Sequence, residues 1–151
     1  MLNSDNKVQD NKYIKDDLPF SKETSLIIKS FYSIYNRLGF GFKSDVYKKA
    51  FVIELSNNNI QFQSELPVEI YYDSVVIGSF IADFVVCRTI LLLINSSLYI
   101  QAHDEQLLYN QLRNSNLEIG FLFNFGSKPE FFRKSPNDMQ NEELTDLPFD
   151  D

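Results

Sequence analysis

The chain has 151 residues, 44% hydrophobic and 15% aromatic, and carries a formal net charge of −7. That length suits one domain with a core of ordinary size, and a single cysteine, Cys87, excludes an internal disulfide framework. The charge is segregated: residues 1–20 hold four Asp and three Lys, residues 135–151 hold six acids and no base, and residues 21–134 hold eleven of each. A neutral centre lacks the basic excess of a non-specific nucleic-acid binder. The polar start, "MLNSDNKVQDNKYIKDD", reads as neither a signal nor a transit peptide. The longest apolar run, around "TILLLI", is far too short to span a bilayer. These features lead to the expectation of a soluble, cytoplasmic protein with no membrane partner.

Residues 1–20 show no period and are read as a flexible polar arm. Ser21 is placed to cap a helix in which Leu26, Ile27, Phe31, Ile34, Tyr35 and Leu38 recur at helical spacing. "GFGF" (39–42) breaks it, since glycine permits turn conformations closed to other residues. A second helix starts at Ser44 or Asp45, buries Val46, Tyr47, Ala50, Phe51 and Leu55, and stops at "NNN" (57–59). From Ile60 the period becomes that of strands. "IQFQSELPVEIYY" predicts an entry strand and a main strand with Pro67 between them, and Asp73-Ser74 predicts a turn. "VVIGSFIADFVV" and "TILLLINS" give two more strands, with Gly78 the mark of a bulge and Cys87 in the turn between them. "LYIQAHDEQLLYNQLRNS" predicts a helix with Ile100, Leu107, Leu108 and Leu112 on or near one face. "EIGFLFNFG" returns to an apolar strand, and "PEFFRK" (129–134) adds a short edge strand. The expected fold is α/β (α+β mixed), a central mixed sheet flanked by helices in the order α-α-β-β-β-α-β. Its domain is set at residues 21–134, and residues 135–151 form an acidic disordered tail.

One carboxylate, Asp83, stands near the end of an apolar strand, and the strand after it carries no charge. A buried carboxylate must be satisfied, so the plainest expectation is that Asp83 accepts hydrogen bonds from backbone or a neighbouring hydroxyl. His103 is the only histidine, which leaves no His-based metal cluster or hydrolytic triad, and it is read as a capping or packing residue. Cys87 is read as structural and Tyr47 as packing between helix and sheet.

In order and spacing, "RLGFGFKSDVYKKAF" (37–51), "LPVEIYYDSVVIGSFIADFVV" (66–86), "HDEQLLYNQL" (103–112) and "IGFLFNFG" (119–126) resemble the GxxExxY family of the PD-(D/E)XK nuclease-like superfamily. The likeness runs from about Leu26 to Arg133 and implies a restriction-endonuclease-like core. In that family a strand Asp and the Glu of a Glu-x-Lys on the next strand hold Mg²⁺ for phosphodiester hydrolysis, and the Lys orients or activates water. Carried over by position, Gly41, Tyr47, Asp83, His103 and Gln106 match the motif. The helix Glu falls on Ser44 and the Glu-x-Lys on Leu93-Ile94-Asn95, and nothing from Ile90 to Leu98 is ionisable. Asp83 and Gln106 are then remnants, with Asp83 the one metal-ligand candidate. The resemblance thus implies a pseudo-nuclease with no cofactor that binds a protein partner or itself as a homo-oligomer.

Two alternatives stay open. A metal-dependent DNA or RNA nuclease could recruit Asp45, Asp104 or Glu105 as relocated Mg²⁺ ligands, with Lys43, Lys48 or Lys49 replacing the lost base. A non-cleaving nucleic-acid binder would need Lys43, Lys48, Lys49, Arg88 and Arg113 on one face. In both tails the sequence also repeats "DLPF", at 17–20 and 146–149. The second copy, Leu147-Pro148-Phe149, resembles the acidic tail with which bacterial single-stranded-DNA-binding proteins dock partners. It lacks their terminal placement, because Asp150 and Asp151 follow Phe149. The first copy reads as an apolar lead-in to the first helix.

Overall fold

A computed structural model describes residues 20–136. The order is α1 (Ser21–Leu38), α2 (Ser44–Asn57), β1 (Phe62–Tyr72), β2 (Val75–Val86), β3 (Ile90–Asn95), α3 (Ala102–Arg113), β4 (Ile119–Phe125) and β5 (Pro129–Lys134). The strands form one sheet in the sequential order β1-β2-β3-β4-β5, antiparallel throughout except for the parallel pair β3–β4. Strands β3 and β4 are covered on both faces, and every residue of β4 is buried. That is why their sequences run as unbroken apolar stretches, the pattern of strands packed on two sides.

One face of the sheet carries α1 and α2. Ile27, Ile28, Phe31 and Ile34 of α1 and Tyr47, Phe51 and Leu55 of α2 pack on Phe84, Phe121, Phe123 and Phe125. The Phe31 ring lies 4.7 Å from Phe123 and 5.0 Å from Phe125, and Tyr47 stacks on Phe125 at 4.0 Å and 9°. The other face carries α3, whose Leu108, Tyr109 and Leu112 pack on Ala82, Val85, Leu91, Leu93 and Leu122.

Several elements depart from the pattern in the sequence. Ser21 is the first helical residue and not the cap; Phe20 precedes it at φ 62°, and its carbonyl accepts from the Thr24 amide. Phe20 also packs against the core, as expected of an apolar lead-in. Leu38, Val46 and Leu107, expected inside, are exposed, because each helix buries a narrower stripe than its apolar residues could fill. Pro67 does not divide β1 but sits within it, opposite Ile81. Its missing N–H is tolerated because β1 is an edge strand. The bulge falls opposite Ile70 and Tyr71, where the register skips Ile77, one residue before Gly78. The Asp73-Ser74 turn forms as expected, with both φ values positive as a two-residue type I′ hairpin requires, and Cys87-Arg88 makes a second turn of the same sign. Among the described residues, no helix is long and apolar enough to cross a membrane. Leu147, Pro148 and Phe149 lie outside the described residues.

Candidate functional site

The sheet forks at Asp83. Strand β2 pairs with β3 only over Phe84–Val86, while β3 continues along β4 to Asn95. The β1–β2 ladder, regular on either side, has no pair for Asp83, and Glu65 opposite it adopts φ 51°. Side-chain alternation slips by one residue there: Ala82 and Val85 face α3, whereas Phe84 and Val86 face α1 and α2. The positive φ of Glu65 opposite the unpaired Asp83 marks a local break in the pleat, with the register the same on either side. Its effect is to turn the Asp83 carboxylate into the fork.

There the carboxylate has two partners. Its Oδ2 accepts the Ile94 backbone N–H at 2.8 Å, which replaces the ladder bond lost where β2 leaves β3. Its Oδ1 lies 3.0 Å from the Nζ of Lys48 on α2, with the two side chains 19% and 28% exposed. Asp83 is thus satisfied by backbone, as expected, and also has a charged partner that strand spacing alone could not reveal. Lys48 lies one residue beyond Tyr47, which is locked against Phe125, so its position at the fork is set by helix packing.

Tyr47 organises the neighbouring loop. Its hydroxyl donates to the Gly39 carbonyl at 2.8 Å and accepts from the Phe42 amide at 3.3 Å. Gly39 and Gly41 have φ 68° and 116°, a region that side chains disfavour, so the glycine–tyrosine spacing corresponds to one folded turn. On the other side of the fork, the wholly buried Asn124 clamps the β3–α3 connection. Its Oδ1 accepts the Ser97 amide at 3.0 Å and its Nδ2 donates to the Ser97 carbonyl at 2.9 Å. Tyr35 donates to the Gly126 carbonyl at 2.7 Å, and burial, with Tyr47 adding, holds its hydroxyl above the ordinary tyrosine value. Asn124 escaped notice in the sequence, although a lone amide inside "IGFLFNF" was the available signal.

The proposed relocated ligands do not converge on Asp83. Asp104 closes a capping box at the start of α3, its Oδ2 accepting the Gln101 amide at 3.0 Å. Glu105 pairs with Lys134 Nζ at 2.6 Å. Burial works against that ammonium, but Glu105 and the Tyr109 hydroxyl outweigh it and hold Lys134 above the ordinary lysine range. Asp45 is exposed in the first turn of α2. Gln106 donates to the Asn110 side chain at 3.2 Å on an exposed surface, and His103 is exposed in the first turn of α3. Leu93, onto which the resemblance carries the motif glutamate, is 8% exposed and packs on the α3 side. Among the described residues no group of three or more His, Cys, Asp or Glu could hold a metal ion.

A divalent cation of the kind this fold family uses requires several hard oxygen ligands. The fork offers one carboxylate, already charge-paired and hydrogen-bonded, so these residues do not fit Mg²⁺. The basic residues divide as well. Lys48 and Lys49 lie on α2 and Lys43 caps its start, whereas Arg88 lies in the β2–β3 turn and shares a groove of about 430 Å³ with Asn116 and Leu117, just beyond Arg113.

A family model described as the PD-(D/E)XK nuclease superfamily matches residues 21–134. No curated protein and no solved structure matches the chain. The match covers well over half of the sequence and agrees with the mixed five-stranded sheet and the helices on both its faces: this chain belongs to the PD-(D/E)XK nuclease superfamily.

Proposed function

We propose that this is a nuclease-fold protein in which the Lys48–Asp83 ion pair has taken the place of the catalytic cation, and that it acts as a protein-interaction or oligomerisation scaffold. The observation that carries this reading is the commitment of Asp83. One oxygen holds an ammonium at 3.0 Å and the other holds a backbone amide at 2.8 Å. An ammonium neutralises the carboxylate but supplies neither a Lewis acid nor a metal-activated water, which are the two functions phosphodiester hydrolysis draws from a metal. The glycine–tyrosine turn, Asp83, His103 and Gln106 support a place near the GxxExxY proteins, with the nucleolytic residues replaced by Ser44, Leu93 and Asn95. In this reading Leu147-Pro148-Phe149 is a short acidic docking motif for a protein partner in the cytoplasm.

The test is isothermal titration of Mg²⁺ and Mn²⁺ into wild type and Asp83→Ala, with plasmid and single-strand cleavage assays on the same samples. The expected result is no Asp83-dependent heat and no cleavage. Divalent binding that vanishes in Asp83→Ala, accompanied by cleavage, would overturn the reading in favour of a nuclease.

A further inference from the structure

Beyond the fork, β2 has a hydrogen-bonding neighbour on one side only. From Val75 to Ala82 it pairs with β1, while β3 has already turned away. The ribbon is fastened by one face. Leu66, Val68 and Phe80 pack toward α3, and the Tyr71 amide donates to the Asn114 carbonyl at 3.1 Å. Apolar side chains along the ribbon stand exposed: Tyr72 is 69% exposed, Val75 61%, Ile77 63% and Ile81 58%, with Val76 at 46%. A Cβ added at Gly78 would meet nothing within 4 Å.

The two long edges of the ribbon differ. That of β1 is blunted by Pro67, which has no N–H to offer, by the left-handed Glu65 and by Glu69. That of β2 reads "SVVIGSFIA" from Ser74 to Ala82, nine residues with no charge, no proline and high strand propensity. The edge is kinked by the bulge at Ile77 but carries neither the charge nor the proline with which natural sheets commonly block pairing.

We infer that the β2 edge from Val75 to Ala82 is a homodimerisation surface that pairs with the same segment of a second copy. Three features select a second copy as the occupant. A two-fold contact brings a surface against itself, so any charge at its centre would meet its own kind, and this stretch has none. Antiparallel pairing of identical strands supplies the backbone partners that β2 lacks beyond the fork. Five exposed apolar side chains, Tyr72, Val75, Val76, Ile77 and Ile81, supply the apolar contact that a standard interface of roughly 800 Å² per partner requires. The inference deepens the scaffold reading and rests on it for its functional meaning, but the dimer is measured by mass and that reading by metal binding, so either can fail alone.

The experiment is sedimentation equilibrium on the full chain, with Ile77→Lys and Ile81→Glu as variants. Both side chains are largely exposed, so circular dichroism should be unchanged. Wild type should approach twice the 17.6 kDa chain mass with rising concentration. Each variant should weaken association on the order of 100-fold, as expected when a charge is forced into a desolvated strand edge. Hydrogen exchange at the amides of Val76–Ile81 should slow as wild-type concentration rises. A wild type that stays at 17.6 kDa at every concentration would overturn the inference. So would a dimer that survives both substitutions, or one in which those amides exchange at a rate independent of concentration.

Discussion

Replacing Asp83 by alanine removes two interactions at once, and their sizes follow from burial. The Ile94 residue is 3% exposed, and its amide loses an ionised acceptor at 2.8 Å. A hydrogen bond to a charged group contributes about 1.5–3 kcal/mol. Lys48 loses its counter-ion, but at 28% and 19% exposure the pair is partly screened by water, which limits that contribution to about 1 kcal/mol or less. The expected loss is therefore about 2–4 kcal/mol for Asp83→Ala, against about 1 kcal/mol for Asp83→Asn, which retains an oxygen for the amide. Urea unfolding followed by circular dichroism measures both, read as a change in midpoint at constant slope. The double variant Lys48→Ala, Asp83→Ala completes a cycle in which the singles should couple by about 0.5–1 kcal/mol. An Asp83→Ala protein within about 0.5 kcal/mol of wild type would refute the reasoning. A variant more stable than wild type would refute it more sharply, because a carboxylate that repels its surroundings in the absence of metal is the mark of a working cation site. Millimolar Mg²⁺ should leave the wild-type midpoint unmoved, since a ligand that does not bind the folded state adds no stability.

Tyr47→Phe keeps the stack on Phe125 and deletes the two hydroxyl bonds to the Gly39–Phe42 turn; the expected cost is about 1–2 kcal/mol in the same urea assay, while an unchanged midpoint would mean the turn holds itself. Gly126→Ala would drive a Cβ into the backbone carbonyls of Ser97 and Leu98, so it should lower stability by about 1–3 kcal/mol and loosen Tyr35; fluorescence-detected thermal unfolding equal to wild type would contradict this close approach. Burial, with Glu23 adding, raises the Cys87 thiol pKa, so the reactive thiolate forms only at higher pH than in a free thiol; iodoacetamide should label Cys87 slowly at neutral pH with a midpoint shifted alkaline, and a rate profile matching free cysteine would count against it. Lys134 has its pKa raised by folding, so its stabilising contribution is complete below the ordinary lysine value near 10.5 and is lost as pH climbs through the higher folded value. Wild type should therefore converge on Lys134→Met in stability only at strongly alkaline pH, and a gap that closes between pH 6 and 8 would show that another group is responsible.

Much of this protein could be read from residue order. The periods of α1 and α2, the uncharged runs of β3 and β4 and the Asp73-Ser74 turn each express a local rule: one buried helical stripe, two covered strand faces, a tight hairpin. The ordered set of glycine–tyrosine turn, strand aspartate and later helix pointed to the nuclease fold, and the absence of any ionisable residue from Ile90 to Leu98 was visible residue by residue. Pro67 misled because a proline reads as a break unless its strand is known to lie at an edge, and edge position is a property of the assembled sheet. The fork belongs to the same class. Asp83 and Lys48 are 35 positions apart, and Ile94 contributes a backbone amide that every sequence has. Only the docking of α2 through Tyr47 and the left-handed backbone at Glu65 bring ammonium, carboxylate and amide to one point. Local pattern determines which face of each element is buried; which charges meet depends on how elements far apart in sequence are stacked, and that was decided by the tertiary structure alone.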